Sequence, residues 1–435
     1  MDDTTKRYAD AGETLRRVTL PNGLRLQIVV KPEYHKTYAV FTTNFGAVDD
    51  QVRLQADAQP VVVPAGTAHF LEHKLFDKAD YDAFDLFGAS GASANAFTSA
   101  TNTNYLFSTT RNVMKNVEIL LDFVQDPYFT DATVAKEQGI IGQEIQMYDD
   151  DPNWQAYTSL LADMYPGHPL SQDIAGTVDS ISHITPAILR TMHQAFYHPQ
   201  NMVLTVVGNF DADELIRVVS ANQAGKVTAP APQARITHDD YDVSVVQPYS
   251  VKRLDIVRPK GYVGIKGSAP ITADRAGLRQ ELATRLFLEL IFGDSGHTYT
   301  DWYDQGVIDD TFGYEFNVGR GYNFTVFSGD ATDPNRMTNA IMAALRNYRA
   351  NPDVNVDRLA RIIKASLGKY FASLNSLENI ANQLASRAFG DTNMFDYPDV
   401  LAELTLADVL AAGQALVRDD GVAILHLLPE TEASK

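Results

Sequence analysis

Two histidines four residues apart, in the run Gly66-Thr67-Ala68-His69-Phe70-Leu71-Glu72-His73, constrain this 435-residue chain more than any other feature. Residues three and four apart share one face of an α-helix, so the string calls for a helix that turns both imidazoles toward one point with Glu72 beside them. Imidazole nitrogens are borderline-soft donors, which suit zinc better than magnesium or calcium.

Two rings do not complete such a site, because catalytic zinc commonly takes three protein ligands and keeps a fourth position for water. A thiolate is excluded, since the chain has no cysteine. His168 lies in the loop-like Tyr165-Pro166-Gly167-His168-Pro169, and His183 and His193 flank Pro186, contexts that read as structural. Carboxylates remain. The stretch from Val134 to Tyr148 has helical apolar spacing at Val134, Ile140, Ile141, Ile145 and Met147, and it carries Glu137 and Glu144 nearly two turns apart on one face. Periodicity leaves two readings open there: a solvated acidic face, or carboxylates turned toward an ion.

Residues 92–99 are small and polar with one aromatic, and lead through Thr101 and Thr103 into Tyr105-Leu106-Phe107-Ser108, which predicts two adjacent extended segments. An edge strand of this kind can take a peptide as an added strand, through main-chain bonds with little sequence preference. The net charge of -19 and pI near 4.8 argue against nucleic-acid and anionic-membrane partners, which require basic surface. No apolar run reaches the roughly 20 residues that span a bilayer, and no secretory hydrophobic core follows Met1–Arg7. The expectation is a cytoplasmic protein without membrane insertion.

At this length and 45% hydrophobic content two domains are expected. Thr19-Leu20-Pro21-Asn22-Gly23-Leu24 signals a turn before an apolar strand, and Asn201–Gly208 reads as a buried strand. The Pro-interrupted Ala229-Pro230-Ala231-Pro232 marks a linker. The expected division is 1–222, a linker 223–250, and 251–435.

His69-Phe70-Leu71-Glu72-His73, then Ser93-Ala94-Asn95-Ala96-Phe97-Thr98-Ser99 with Asn104-Tyr105, then Glu137 and Glu144, together resemble the insulinase/pitrilysin family of zinc metallopeptidases with the inverted histidine-glutamate motif. Lys74-Leu75-Phe76 and the acidic run after Met147 are similar to its bacterial YmfH-like group, and mitochondrial processing peptidase subunits belong to the same kin. The resemblance implies an α+β fold of two homologous α/β-sandwich domains (the LuxS/MPP-like metallohydrolase fold) forming a clam-like half-chamber. It implies one Zn2+ per chain held by His69, His73 and Glu144, with Glu137 as the supporting carboxylate and Glu72 as the general base. It also implies substrate contact at Asn95, Ala96 and Phe97.

Phe287-Leu288-Glu289-Leu290 echoes Phe70–His73 with leucines at both histidine positions, and Arg361-Ile362-Ile363 echoes Gly139-Ile140-Ile141, as a duplicated half without the metal would. The family's arginine and tyrosine, seven residues apart, have no counterpart in the matching Asp301–Asp310 stretch, and Arg320 and Tyr322 are wrongly spaced. The resemblance therefore implies a zinc endopeptidase for short or unfolded peptides, as the zinc-bearing subunit beside a homologous chain that supplies the arginine and tyrosine, or as a homodimer. The alternative is a non-catalytic peptide-binding or assembly subunit.

Overall fold

The computed structural model describes residues 1–53, 59–226, 234–235 and 246–430. Most of the expected linker, including Ala229-Pro230-Ala231-Pro232, lies outside the described residues. Strands occur in chain order as β1 (Asp2–Tyr8), β2 (Glu13–Thr19), β3 (Arg25–Val30), β4 (Thr37–Thr43), β5 (Gln51–Arg53), β6 (Val61–Val62), β7 (Ser93–Thr98), β8 (Thr103–Thr109), β9 (Met202–Gly208), β10 (Ala234–Arg235), β11 (Tyr249–Leu254), β12 (Lys260–Lys266), β13 (Gly313–Gly319), β14 (Tyr322–Asp330) and β15 (Val422–Pro429). They build a seven-stranded sheet β1-β2-β3-β9-β4-β8-β7, a five-stranded sheet β11-β15-β12-β14-β13, and a small sheet β10-β5-β6. The turn expected near Pro21 is present, with Gly23 at φ +89° between β2 and β3.

Each large sheet belongs to its own compact unit with its own apolar core. The strand run β3-β9-β4-β8-β7 has the order and the directions of β11-β15-β12-β14-β13: the first pair in each is parallel and every later pair antiparallel. Helices fall in the same places. Thr67–Phe76 and Arg275–Phe292 each follow the sheet's central strand, and Asp131–Asp149 and Val356–Ser373 are the second helices after each hairpin. Both sequence echoes thus sit on equivalent elements, and the units are repeats of one α+β fold.

The units are not contiguous pieces of chain, which departs from the expected bounds. Residues 146–172 join the second unit and 370–396 the first. The physical reason lies in the central strands: β4 and β9 are buried along their whole length, so both sheet faces need cover. In the first unit the second face is covered by the helix Leu377–Ser386, which packs on β4 and β9. In the second unit the helix Pro152–Met164 lies on β12 and β15, closely enough that a Cβ at Gly264 would come within 2.6 Å of Met164 Sδ. Each of these helices directly follows the long helix of its own repeat, so the exchange is reciprocal.

In the first unit one short segment, 175–184, fixes two helices at once. Gly66, at φ +90°, begins the helix Thr67–Phe76, and a Cβ there would meet Ala175 O at 2.4 Å. Ser180 Oγ donates to Ala65 O at 2.9 Å. From the helix Asp131–Asp149, Gln138 Nε2 donates to the carbonyls of Ile181, Ser182 and Ile184 at 3.2, 3.3 and 3.2 Å. Gly66→Ala is expected to destabilise the protein by about 1–3 kcal/mol through its backbone conformation alone, with the Ala175 overlap adding to it. Gly88→Ala, in a helix where a Cβ meets nothing within 4 Å, is expected to be neutral or stabilising by roughly 0.5–1 kcal/mol. Urea unfolding of the two variants checks the contrast; equal stability of both would refute the clamp.

Candidate metal centre

The helix Thr67–Phe76 forms because Phe70, Leu71 and Leu75 give it a buried stripe against the first core, and Thr67 Oγ1 donates to Pro64 O at 2.6 Å at its start. His69 and His73 then stand one turn apart, their ring centroids 4.5 Å from each other. The second helix, Asp131–Asp149, buries Val134, Glu137, Ile141 and Ile145. Its apolar spacing overstated the buried face, since Ile140 and Met147 are exposed. The stripe that packs the helix down carries Glu137 and brings Glu144 up to the two rings.

Glu144 is shared between the histidines, with Oε1 3.7 Å from His69 Nε2 and Oε2 3.5 Å from His73 Nε2. These separations are long for hydrogen bonds. They are close to the edge of a tetrahedron of nitrogen and oxygen ligands around one zinc-sized ion, about 3.3 Å for bonds of about 2.0–2.1 Å. One ligand atom from each of His69, His73 and Glu144 lies within 4.8 Å of the others, which makes this a group able to hold a metal ion.

The second contacts agree with that use. His73 Nδ1 donates to Glu137 Oε1 at 3.0 Å, which turns Nε2 toward Glu144. Burial, followed by the neighbouring His73, holds the His69 imidazole down to about 3, so the ring is neutral. Its Nδ1 is buried and has no hydrogen-bond partner among the described residues. Burial also pulls His73 down, but the Glu137 hydrogen bond and the charges of Glu72, Glu137 and Glu144 lift it above its ordinary value overall. The neutral His69 Nε2 facing the Glu144 carboxylate at 3.7 Å is unfavourable with nothing between them, and a cation between them relieves it. The donor set fits a metal.

Glu72 sits beside this group and 93% out of solvent, being 7% exposed. Burial pushes its carboxyl up to about 7; the Thr98 hydrogen bond and His73 oppose this, and Glu144 adds to it. Thr98 Oγ1 donates to Glu72 Oε2 at 2.6 Å. Sequence reasoning stopped at Phe97 and missed Thr98, although its place at the end of the adjacent strand was the available signal.

The two extended segments expected after residue 92 are β7 and β8, and β7 is the edge of the seven-stranded sheet. Its residues alternate: Ala94, Ala96 and Thr98 are half-buried toward the core side, where the strand meets the helix Thr67–Phe76, whereas Asn95 and Phe97 are exposed. Ala96 therefore shares the metal group's side of the strand, and Asn95 and Phe97 do not.

His168, His183 and His193 have structural partners. His168 Nδ1 accepts from Leu170 N at 3.0 Å, His183 Nδ1 bonds Asp179 O at 2.9 Å, and the buried His193 bonds Val124 O at 2.9 Å and stacks on Tyr197. In the second repeat the histidine positions are the buried Leu286 and Leu290, and Glu289 Oε2 accepts from Tyr314 at 2.7 Å. No helix among the described residues is long and apolar enough to cross a membrane.

Comparison with known proteins agrees with this reading of the fold. The uncharacterized zinc protease YmfH of Bacillus subtilis (strain 168) is 41% identical over 424 residues, covering 98% of this chain and 99% of that one. The crystal structure of an M16-like peptidase from Alicyclobacillus acidocaldarius superposes with a TM-score of 0.91 at 33% identity, over 96% of this chain and 99% of its own. The first half of the periplasmic protease PqqL from Escherichia coli shares the fold, with a TM-score of 0.73 at 18% identity over 95% of this chain and 92% of that half. The family profile described as insulinase (peptidase family M16) matches residues 63–178, which contain the whole metal group, and that of the M16 inactive domain matches 183–366. A near full-length relative and two profiles of one family leave a single assignment: the chain belongs to the insulinase, or M16, peptidase family.

Proposed function

We propose that this protein is a zinc-dependent endopeptidase that cleaves short or unfolded peptides. The observation that carries the reading is the meeting of His69, His73 and Glu144 within 4.8 Å, beside a buried glutamate that ligates nothing in that group. Two nitrogen donors and one carboxylate, without thiolate, suit zinc. Bound zinc supplies a Lewis acid that polarises a carbonyl and brings the pKa of a water toward about 7.

The chain's own residues do the rest. Glu72 is the general base. With Oε2 held by Thr98, Oε1 is the atom that takes the proton from the attacking water and delivers it to the departing amine. Glu137 keeps His73 in the tautomer whose Nε2 faces the ion. Strand β7 takes the peptide as an added strand, with Asn95, Ala96 and Phe97 as contacts.

The stretch Asp301–Asp310 holds no arginine and tyrosine seven residues apart. This favours a two-chain enzyme in which a homologous subunit, or a second copy, supplies that pair. It equally favours a second reading, a peptide-binding or assembly subunit that keeps the ion without turnover.

A chelator is expected to abolish cleavage of a quenched fluorescent peptide, and zinc to restore it. Glu72→Gln is expected to keep stoichiometric zinc while losing about 10²–10⁴ in kcat; a zinc-loaded variant that still hydrolyses the peptide refutes the assignment of the base. Zinc retained by wild type with no turnover, both alone at any protein concentration and together with a homologous subunit that carries the arginine and tyrosine, selects the second reading. Glu137→Ala, tested by competition with a chelator, is expected to weaken zinc binding by about 10–100-fold; unchanged affinity would deny Glu137 its supporting role.

A further inference from the structure

We propose that Thr98 is a positioning residue that holds Glu72 in register with the substrate strand; the inference rests on the endopeptidase reading above. Thr98 Oγ1 donates to Glu72 Oε2 at 2.6 Å, and this is the one side-chain hydrogen bond that the Glu72 carboxylate makes among the described residues. A glutamate has three free torsions and the charge of Glu144 bears on the Glu72 carboxylate, so the Thr98 donor is what selects among its rotamers.

The identity of the donor matters as well as its place. A threonine hydroxyl is short, sits on the strand itself and has one proton to give, so it holds one carboxylate oxygen in one place.

The Thr98 hydroxyl is available for this task because its neighbours are otherwise engaged. Its cross-strand partner is Thr103, which is fully buried and gives its own proton to Phe45 O at 2.9 Å. Just beyond Thr98 the chain turns tightly: Ser99 N donates to Asn102 O at 2.8 Å, and Ser99 Oγ accepts from Thr101 N and Asn102 N at 3.3 and 3.1 Å. The turn is tied to the preceding loop by Ala47 N to Ser99 O at 3.1 Å and Val48 N to Ala100 O at 2.9 Å. Gly46 fits against it only because it lacks a Cβ, which would lie 2.5 Å from Thr101 N. The backbone that carries Thr98 is therefore held from both sides.

Thr98 is the last residue of β7, the sheet's edge strand. A peptide added to β7 would be fixed by main-chain bonds to the strand whose end fixes the base. One rigid element would then set the position of both the scissile bond and the proton acceptor, which is what an acid–base step needs when small misplacements are costly.

The test compares Thr98→Val, which keeps shape and β-branching but removes the donor, with Thr98→Ser, which keeps the donor, in the full-length chain. Zinc content, thermal unfolding, steady-state cleavage of the quenched peptide and crystal structures of the zinc-loaded proteins are measured for each. Thr98→Val is expected to keep zinc and the unfolding temperature, to lose about 10–100-fold in kcat with KM little changed, and to show the Glu72 carboxylate displaced from its wild-type position. Thr98→Ser is expected to restore both kcat and the carboxylate position. Wild-type kcat with Glu72 unmoved in Thr98→Val, or equal losses in the two variants, would overturn the proposal. If wild type cleaves nothing even with a homologous subunit that carries the arginine and tyrosine, the endopeptidase reading fails, and the Glu72 position in the Thr98→Val crystals still decides whether Thr98 places that side chain.

Discussion

Three ligand atoms can share one ion only if two helices, remote in sequence, hold their separation to within a few tenths of an ångström. The rest of the first unit is arranged around that demand. Neither helix could enforce it alone, because each brings only part of the ligand set: two imidazoles on Thr67–Phe76, one carboxylate on Asp131–Asp149. The segment 175–184 meets the demand by touching both. It receives three carbonyl-directed hydrogen bonds from Gln138 on one side and presses backbone to backbone on Ala65 and Gly66 on the other. The backbone-to-backbone approach on the Gly66 side leaves no rotamer freedom there, and on the other side three carbonyls together restrain the Gln138 side chain.

What the sequence made legible follows from the range of the interactions involved. The helix bearing His69 and His73 was readable because the 3.6-residue period acts between neighbours one turn apart. Glu137 and Glu144 were readable as a pair on one face for the same reason, but periodicity could not say whether that face met water or an ion; their roles were legible only through resemblance. Ile140 and Met147 share the apolar spacing of the helix Asp131–Asp149 and are exposed. Apolar identity does not by itself assign a residue to the core. The Thr98–Glu72 bond escaped because it joins a strand end to a helix 26 residues earlier, and no local period encodes such a contact. The exchange of Pro152–Met164 and Leu377–Ser386 escaped for a related reason. An amphipathic helix states that it needs an apolar surface and leaves open which sheet provides it.

The second repeat shows how little of the site belongs to the fold. It has the same strand order, the same strand directions and a helix in the same place, yet it carries leucines where the first repeat has imidazoles. Leu286 and Leu290 are buried with the core, and each such side chain contributes about 1.5–3 kcal/mol of burial that the half-buried His69 and His73 forgo. Glu289 remains at the position of Glu72, but Tyr314 from β13 now satisfies it. A carboxylate bonded to a half-buried tyrosine is a structural pair. A carboxylate bonded to one threonine beside two imidazoles and a second carboxylate is a poised group. The first unit therefore keeps a neutral His69 ring turned toward the Glu144 carboxylate, an opposition that a cation between them relieves. Its stability must then be linked to the ion in a way that the second unit's is not, because binding to the folded state alone adds stability by mass action. The apolar substitution of the second repeat removes both the cost and the linkage, which is the physical sense in which one repeat is built for a site and the other for packing.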